Sequence, residues 1–328
     1  MKVLVTGSAG HLGEALMRTL KAQKVEAVGT DILASEFTHR VGTIADREHV
    51  RACMAGIDVV LHTATLHKPH VVTHSKQDFI DTNVTGTLNL LEEAAAVGVQ
   101  AFIYTSTTST FGDAMQAKPD GPAVWVTEEL VPVPKNIYGV TKLAAENLCQ
   151  LFSRNHQLPC LVLKTSRFFP EADDSKAVRD AYADDNAKAN EFLNRRVDVE
   201  DVVRAHLLAM EKAGEIGFEK YIISATTPFT RADLVELNQN APVVLKRLMP
   251  DYEDAYADLG WKMSPTVGRV YVNQKAHNEL GWRPKHDFVD VLDRVKGGGR
   301  LLSSLAYEIG QKGYHDEHFT DGPYPVNE

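Results

Sequence analysis

The chain has 328 residues, 44% of them hydrophobic and 24% charged, and carries a formal net charge of -9 at neutral pH. Those values suit a soluble globular protein with one large core or two modest ones. They argue against a nonspecific grip on nucleic acid or anionic membrane, which needs a basic face, and no apolar run approaches the roughly 20 residues of a membrane helix.

Val3-Leu4-Val5 is a short apolar run ending at a glycine turn, and Glu14 to Leu20 follows at helical spacing. Strand, turn and helix are predicted, with no room for a signal peptide before Gly7. Glu26 to Asp31 reads as a second strand ending in a carboxylate. Asp46 can cap a helix over Glu48 to Met54, and Asp58 to His62 is the next buried strand. A long helix over Asn83 to Val97, a strand over Ala101 to Thr105, a helix over Tyr138 to Arg154 and a strand over Cys160 to Lys164 follow. Continuously apolar strands alternating with helices predict an α/β protein. Its doubly wound parallel sheet is of the Rossmann type, with ligands at the C-terminal strand ends.

Beyond Lys164 the pattern changes. Residues 171–196 are polar and charged with no clear strand, and Val197 to Glu211 reads as strand then helix. Tyr221 to Ser224 reads as one more strand, and residues 225–296 as shorter mixed elements. The expected plan is a cofactor domain of residues 1–165 with about 197–224. A smaller substrate lobe comprises about 166–196 and 225–296, and a C-terminal helix or tail comprises 297–328. Cys53, Cys149 and Cys160 are widely spaced and form no CxxC pattern, which predicts a reducing, cytoplasmic location.

Gly7-Ser8-Ala9-Gly10-His11-Leu12-Gly13 lies between the first strand and the first helix. There the backbone turns sharply, approaches a pyrophosphate and packs closely on the helix, whose N-terminus favours phosphate. The spacing is GxxGxxG, not GxGxxG. Asp31, 18 residues after Gly13, stands where a carboxylate accepts hydrogen bonds from an adenosine ribose and repels a 2′-phosphate. NAD is therefore expected rather than NADP.

Tyr138 and Lys142 are i, i+4 and share a helix face. A nearby ammonium and the positive ring of an oxidised nicotinamide favour the phenolate. Bringing a phenol from near 10 toward neutrality takes about three units, roughly 4 kcal/mol. Tyr138 can then take a hydroxyl proton as hydride leaves the same carbon. The hydroxyl-rich run Thr105 to Thr110 follows an apolar strand, so some of its side chains point into the cleft. Spacing alone does not choose which one orients the reacting oxygen.

Together these residues resemble an extended short-chain dehydrogenase/reductase of the NAD-dependent epimerase/dehydratase group, over roughly residues 1–295. The resemblance rests on Gly7, Gly10, Gly13, Asp31, His62-Thr63-Ala64-Thr65, Asn83 to Thr87, Thr107 to Gly112, Tyr138, Lys142 and Arg196 to Val202. It implies NAD as cofactor and Thr107 as the catalytic hydroxyl. Ala9, His11, Leu12, Ile44, Ala64, Thr65, Asn83, Lys142 and Thr165 would join the glycines and Asp31 around the cofactor. His67, Thr108 and Arg167 would face substrate. A homodimer through the helices at about 83–97 and 138–154 is implied as well. Several positions depart from the family pattern. Thr43-Ile44 stands where relatives have Asp-Ile, Phe111 where they have Tyr, and Arg167 where nucleotide-sugar enzymes often have Asn. The stretch from Pro170 to Arg196 is short and lacks a glycine-rich segment.

The expected activity is oxidation of a hydroxyl carbon of a sugar or nucleotide sugar by hydride transfer to NAD, with Tyr138 as base. A dehydrogenase of a free sugar or sugar acid is the alternative that the short segment favours. A non-catalytic dinucleotide sensor is a third reading, but it has no need of Thr107, Tyr138 and Lys142. Arg167 has two readings of its own: it meets a substrate carboxylate or phosphate, or it pairs with the nearby acidic loop. No metal is expected, since Pro69 interrupts His67, His70 and His74 and the chemistry needs none. His315-Asp316-Glu317-His318 reads as a solvated terminus, and Trp125, Trp261 and Trp282 as packing residues.

Overall fold

Val3, Leu4 and Val5 have no exposed surface, and their strand β1 (Lys2–Thr6) lies inside a parallel sheet. The computed structural model describes residues 1–313 and Phe319. After β1 come α1 (His11–Ala22), β2 (Glu26–Asp31), β3 (Arg40–Val41), α2 (Arg47–Met54), β4 (Val59–His62) and α3 (Lys76–Phe79). A π-helical turn (Ile80–Thr85) leads into α4 (Gly86–Val97), then β5 (Ala101–Thr107), β6 (Val124–Val126), α5 (Ile137–His156) and β7 (Cys160–Thr165). The rest is α6 (Lys176–Ala181), α7 (Asp184–Phe192), α8 (Val199–Ile216), β8 (Phe218–Ile223), α9 (Leu234–Leu248), α10 (Tyr252–Asp258), β9 (Arg269–Tyr271), α11 (Phe288–Lys296) and α12 (Ser304–Ile309).

Seven strands pair in the order β3-β2-β1-β4-β5-β7-β8, every pair parallel. Alternation divides the core. Val3, Val5, Leu61, Ile103 and Leu161 face one apolar layer with α1 and α8. Leu4, Val60, Phe102 and Val162 face the other, with α2, α4 and α5. The central strands β1, β4, β5 and β7 are buried on both sides, which is why the sequence reads there as apolar runs. The strand order reverses between β1 and β4, so the loops after them diverge and leave a crevice at their C-terminal ends. A separate two-stranded sheet pairs β6 with β9, and α10 packs against α9 and α11.

The expected elements are present with ends shifted by a few residues. Asp46 caps α2, accepting from the Glu48 and His49 amides. One expectation fails: Val197 opens no strand. Arg196 makes only an isolated bridge to Arg167, because Asp198 caps α8 at once, accepting from the Glu200 amide at 2.8 Å. The same carboxylate accepts from the Ser303 amide and hydroxyl. Those bonds also draw the C-terminal segment home after Gly297-Gly298-Gly299: Leu301 and Leu302 are buried, and α12 lies on α1 and α8. The strands β3, β6 and β9 were not foreseen. They are two or three residues long, too short for a period of two to register. Trp282 is buried and donates to the Asp201 carbonyl, and Trp261 packs edge-on against Tyr256. The run His315 to His318 lies outside the described residues.

Candidate active site at the sheet crevice

The glycine loop is where the backbone must come closest to its neighbours. Gly7 sits at φ +72°, and a Cβ there would stand 2.7 Å from the Ala64 amide nitrogen. At Gly13 a Cβ would stand 1.8 Å from the Gly7 carbonyl oxygen. Neither position admits a side chain, so bare backbone lines the crevice. Gly10 forms the N-cap of α1, and the first turn through His11, Leu12 and Gly13 aims its amides at the crevice mouth. The Asp31 carboxylate accepts from the Ala9 amide (3.0 Å) and the Leu33 amide (2.9 Å). It thereby ties the glycine loop to the end of β2. This cradle fits a pyrophosphate beside a ribose.

Across the crevice, Thr6 Oγ1 accepts from the Thr63 and Ala64 amides, both at 3.2 Å. It also hydrogen-bonds His62 Nδ1 at 2.7 Å. Burial, with the nearby Lys142 charge, holds the His62 imidazole well below its usual range and therefore neutral. Asn83 lies in the π-helical turn, a rare geometry that frequents functional sites. It uses both ends of its amide: Oδ1 accepts from the Leu66 amide (2.8 Å) and Thr65 Oγ1 (2.9 Å). Nδ2 donates to the Leu66 carbonyl (2.9 Å) and Thr141 Oγ1 (3.0 Å). One side chain thus fixes the loop after β4 against α5. Ile44 is buried against Gly86, and its carbonyl accepts from Asn89 Nδ2 at 3.1 Å.

Thr107 ends β5, and Tyr138 and Lys142 stand on the first turns of α5, which Asn136 caps. Burial pushes the Tyr138 phenol up to about 12, and the hydroxyl of Thr107, hydrogen-bonded to it, works against that rise. Burial pulls Lys142 down to about 7, opposed by Glu146. The Lys142 ammonium donates to the Thr105 carbonyl at 2.7 Å and lies 4.2 Å over the Tyr104 ring. The Thr107 and Tyr138 hydroxyls therefore meet at the end of β5, while Lys142, one turn further along α5, reaches back to that strand. Desolvation dominates at the phenol, so the protein by itself keeps Tyr138 protonated.

The remaining expected residues separate. Thr165 Oγ1 donates to the Ser106 carbonyl (3.0 Å), and Thr108 Oγ1 to the Thr165 carbonyl (3.5 Å), so both buried hydroxyls stitch β5 to β7. His67 caps a 3-10 turn and stacks on Phe169, with ring centroids 5.5 Å apart. Phe169 meets His11 edge-on at 5.1 Å, and His11 Nε2 bonds Glu171 Oε1 at 2.7 Å. Arg167 adopts the second of its two readings. Its guanidinium pairs with Asp174, donates to the Ala172 carbonyl at 2.9 Å and lies 3.7 Å from Asp173. It is held by the acidic loop rather than aimed at a ligand. Lys68 reaches the same Asp174 at 2.5 Å, tying the loop after β4 to the acidic loop. Sequence reasoning missed Thr6 and Asn89, because buried polar residues inside apolar strands and helices carry no local signal.

Among the described residues no group of three or more His, Cys, Asp or Glu side chains is arranged to hold a metal ion. No helix among them is long and apolar enough to cross a membrane. A cleft of about 460 Å³ is lined by Gln116, Tyr182, Asn190, Arg195 and Arg269 among others.

The model of the NAD dependent epimerase/dehydratase family matches residues 3–223. The chain belongs to that family. That family is NAD dependent, and its members are epimerases and dehydratases. A UDP-glucose 4-epimerase of Rhizobium meliloti shares 26% identity over 327 residues, covering 89% of this chain and 94% of that one. The low-salt glycan biosynthesis protein Agl12 of Haloferax volcanii shares 30% over 184 residues, 52% of this chain and 57% of its own. An uncharacterised Sinorhizobium fredii protein shares 36% over 45% of this chain, and that match spans only 36% of the relative. Among solved structures, a short-chain dehydrogenase/reductase superfamily protein from Agrobacterium tumefaciens with bound NAD superposes with a TM-score of 0.65. It has 20% identity and is covered to 96%, against 90% of this chain. At that identity the likeness speaks to the fold.

Proposed function

We propose that the chain oxidises a hydroxyl carbon of a nucleotide sugar by hydride transfer to NAD. The observation that supports this reading is the meeting of the Thr107 and Tyr138 hydroxyls at the end of β5, with Lys142 one turn further along α5. Bound NAD supplies the hydride acceptor and, when oxidised, a positive charge that favours the phenolate. Gly7, Ala9, Gly10, His11, Leu12, Gly13, Asp31, Ile44, Ala64, Thr65, Asn83, Lys142 and Thr165 are the residues we assign to holding it. Tyr138 takes the substrate hydroxyl proton onto its phenolic oxygen, Thr107 orients the reacting oxygen, and Lys142 supports the phenolate electrostatically. The cleft gives the rest of the substrate its place, with His67 and Thr108 toward the reacting end. Nucleotide sugars are the substrates that UDP-glucose 4-epimerase relatives bring to this reading.

A free sugar or sugar acid is the second reading, favoured by one feature. The short segment after β7 folds as an acidic loop that holds Arg167, where a nucleotide-sugar enzyme often offers an asparagine. The experiment compares wild type with Tyr138→Phe across UDP-sugars, free sugars and sugar acids, following both NADH and isomerised product. Turnover of UDP-sugars without net NADH, reduced at least about 100-fold by the substitution, is the expected result. NADH accumulation with a sugar acid would establish the second reading. NAD binding without turnover of any compound would leave a dinucleotide sensor.

We further propose a cytoplasmic homodimer through α4 and α5, whose outward faces expose Val97, Val140 and Leu151. Sedimentation of the purified chain as a monomer at micromolar concentration would refute it.

A further inference from the structure

Behind the proposed catalytic pair lies a buried polar network to which the function above assigns no task. Glu146 has no exposed surface. Its Oε1 accepts from Ser106 Oγ and from Lys164 Nζ, each at 2.5 Å, and its Oε2 faces Lys220 Nζ at 3.1 Å. Those partners come from three strands, β5, β7 and β8. Ser106 and Lys164 directly precede Thr107 and Thr165, so the network sits one residue behind the crevice. Along α5, Tyr138, Lys142 and Glu146 follow at successive steps of four and share one face.

We propose that Glu146 is a positioning residue for the Tyr138–Lys142 pair, anchoring α5 to the strand ends that carry Thr107 and setting a negative charge one helical turn behind Lys142. The inference rests on the reading of Lys142 as the support of Tyr138. Isolated buried charge is strongly disfavoured, so a core that keeps Glu146 with two lysines near the site calls for a use. Lys142 meets Glu146 and Cys149 from α5, Tyr104 from β5, Lys164 from β7 and His62 from β4. Burial is the largest influence and lowers the amine to about 7. Glu146 comes next and works against that fall, helped by Cys149 and opposed by Lys164. Without Glu146 the amine would be neutral at physiological pH, beside a phenol that needs a cation.

The test follows the ionisation of Lys142 itself, so it needs no substrate and stands apart from the identity of the reaction. Lysine labelled with 13C at Cε is titrated by NMR in the full-length protein, the Lys142 signal being assigned by its loss in Lys142→Met. Glu146→Gln is expected to lower the Lys142 midpoint by about one pH unit or more, while Glu146→Asp, which keeps the charge, restores most of it. A lower melting temperature with an unmoved midpoint would reduce Glu146 to a structural tie and overturn the proposal. A second measurement needs no change in the network, should Glu146→Gln fail to fold. In wild type, the 13C-labelled Glu146 carboxylate must show a step at the Lys142 midpoint. A flat signal there would overturn it equally.

Discussion

At the scale of single residues, Asn83 has more structural consequence than its type suggests. It satisfies four hydrogen-bonding groups with one amide and joins the loop after β4 to α5. Asn83→Ala would leave the Leu66 amide and carbonyl without that partner in a part-buried setting. A loss of about 2–4 kcal/mol in urea unfolding is expected, with weaker NAD binding by calorimetry. Unchanged NAD affinity would show that the loop holds its shape unaided. The sequence placed Asn83 beside the cofactor through a family pattern, but its partners lie 17 and 58 positions away. Pairings across such distances are decided by the fold. Tyr138 and Lys142 were legible for the opposite reason: a helical step of four is local geometry, whereas Thr107 was singled out of its hydroxyl-rich run by the family resemblance. Their charge states were not legible, since desolvation depends on everything packed around them.

At the scale of elements, the β1–loop–α1 unit was readable because its constraints are steric and short-range. Gly13 and Gly7 touch within the loop, whereas a Cβ at Gly10 would stand 3.3 Å from the Gly7 carbonyl, a fit that slight movement relieves. Gly13→Ala is therefore expected to weaken NAD binding at least tenfold, while Gly10→Ala does less damage to the loop itself. Equal effects measured by fluorescence titration would mean that ligand crowding, not loop packing, dictates both glycines. The segment after β7 shows the limit of element-level reading. Its polar composition showed no clear strand and gave no helix either, yet it includes α6 and α7. Asn186 and Asn190, buried on α7, both donate to the Lys262 carbonyl. Their polarity serves a contact with the loop before β9, not solvent.

At the scale of the molecule, several ties hold the C-terminal third to the sheet domain, and one is pH-dependent. His286, just before α11, faces Glu200 on α8 at 3.5 Å. Burial lowers the imidazole, but Glu200 with Asp198 and Asp201 overcomes it and raises His286 from 6.5 to about 9. The His286 contact is the largest influence on Glu200 and lowers it from 4.5 to about 2. The raised imidazole contributes fully below pH 6.5 and loses that contribution as pH climbs through 9. The lowered carboxylate contributes above pH 4.5 and loses its part as pH falls through 2. His286→Gln should therefore destabilise most between those bounds, by about 1–2 kcal/mol after solvent screening. The difference should fade by pH 10 in denaturant melts. A pH-independent difference would mean that His286 acts by packing alone.

The sequence by itself determined the alternation of strands and helices, the glycine cradle, the acidic end of β2 and the catalytic spacing on α5. Each of these follows from local sterics and periodicity within about twenty positions. Tertiary structure alone decided that Arg167 turns to its own acidic loop, that Val197 begins no strand, and that Asp198 holds Ser303 from 105 positions away. It also decided that Tyr138 and Lys142 are dehydrated. Buried charges choose partners by proximity in space, and proximity in space is what a list of residues does not contain.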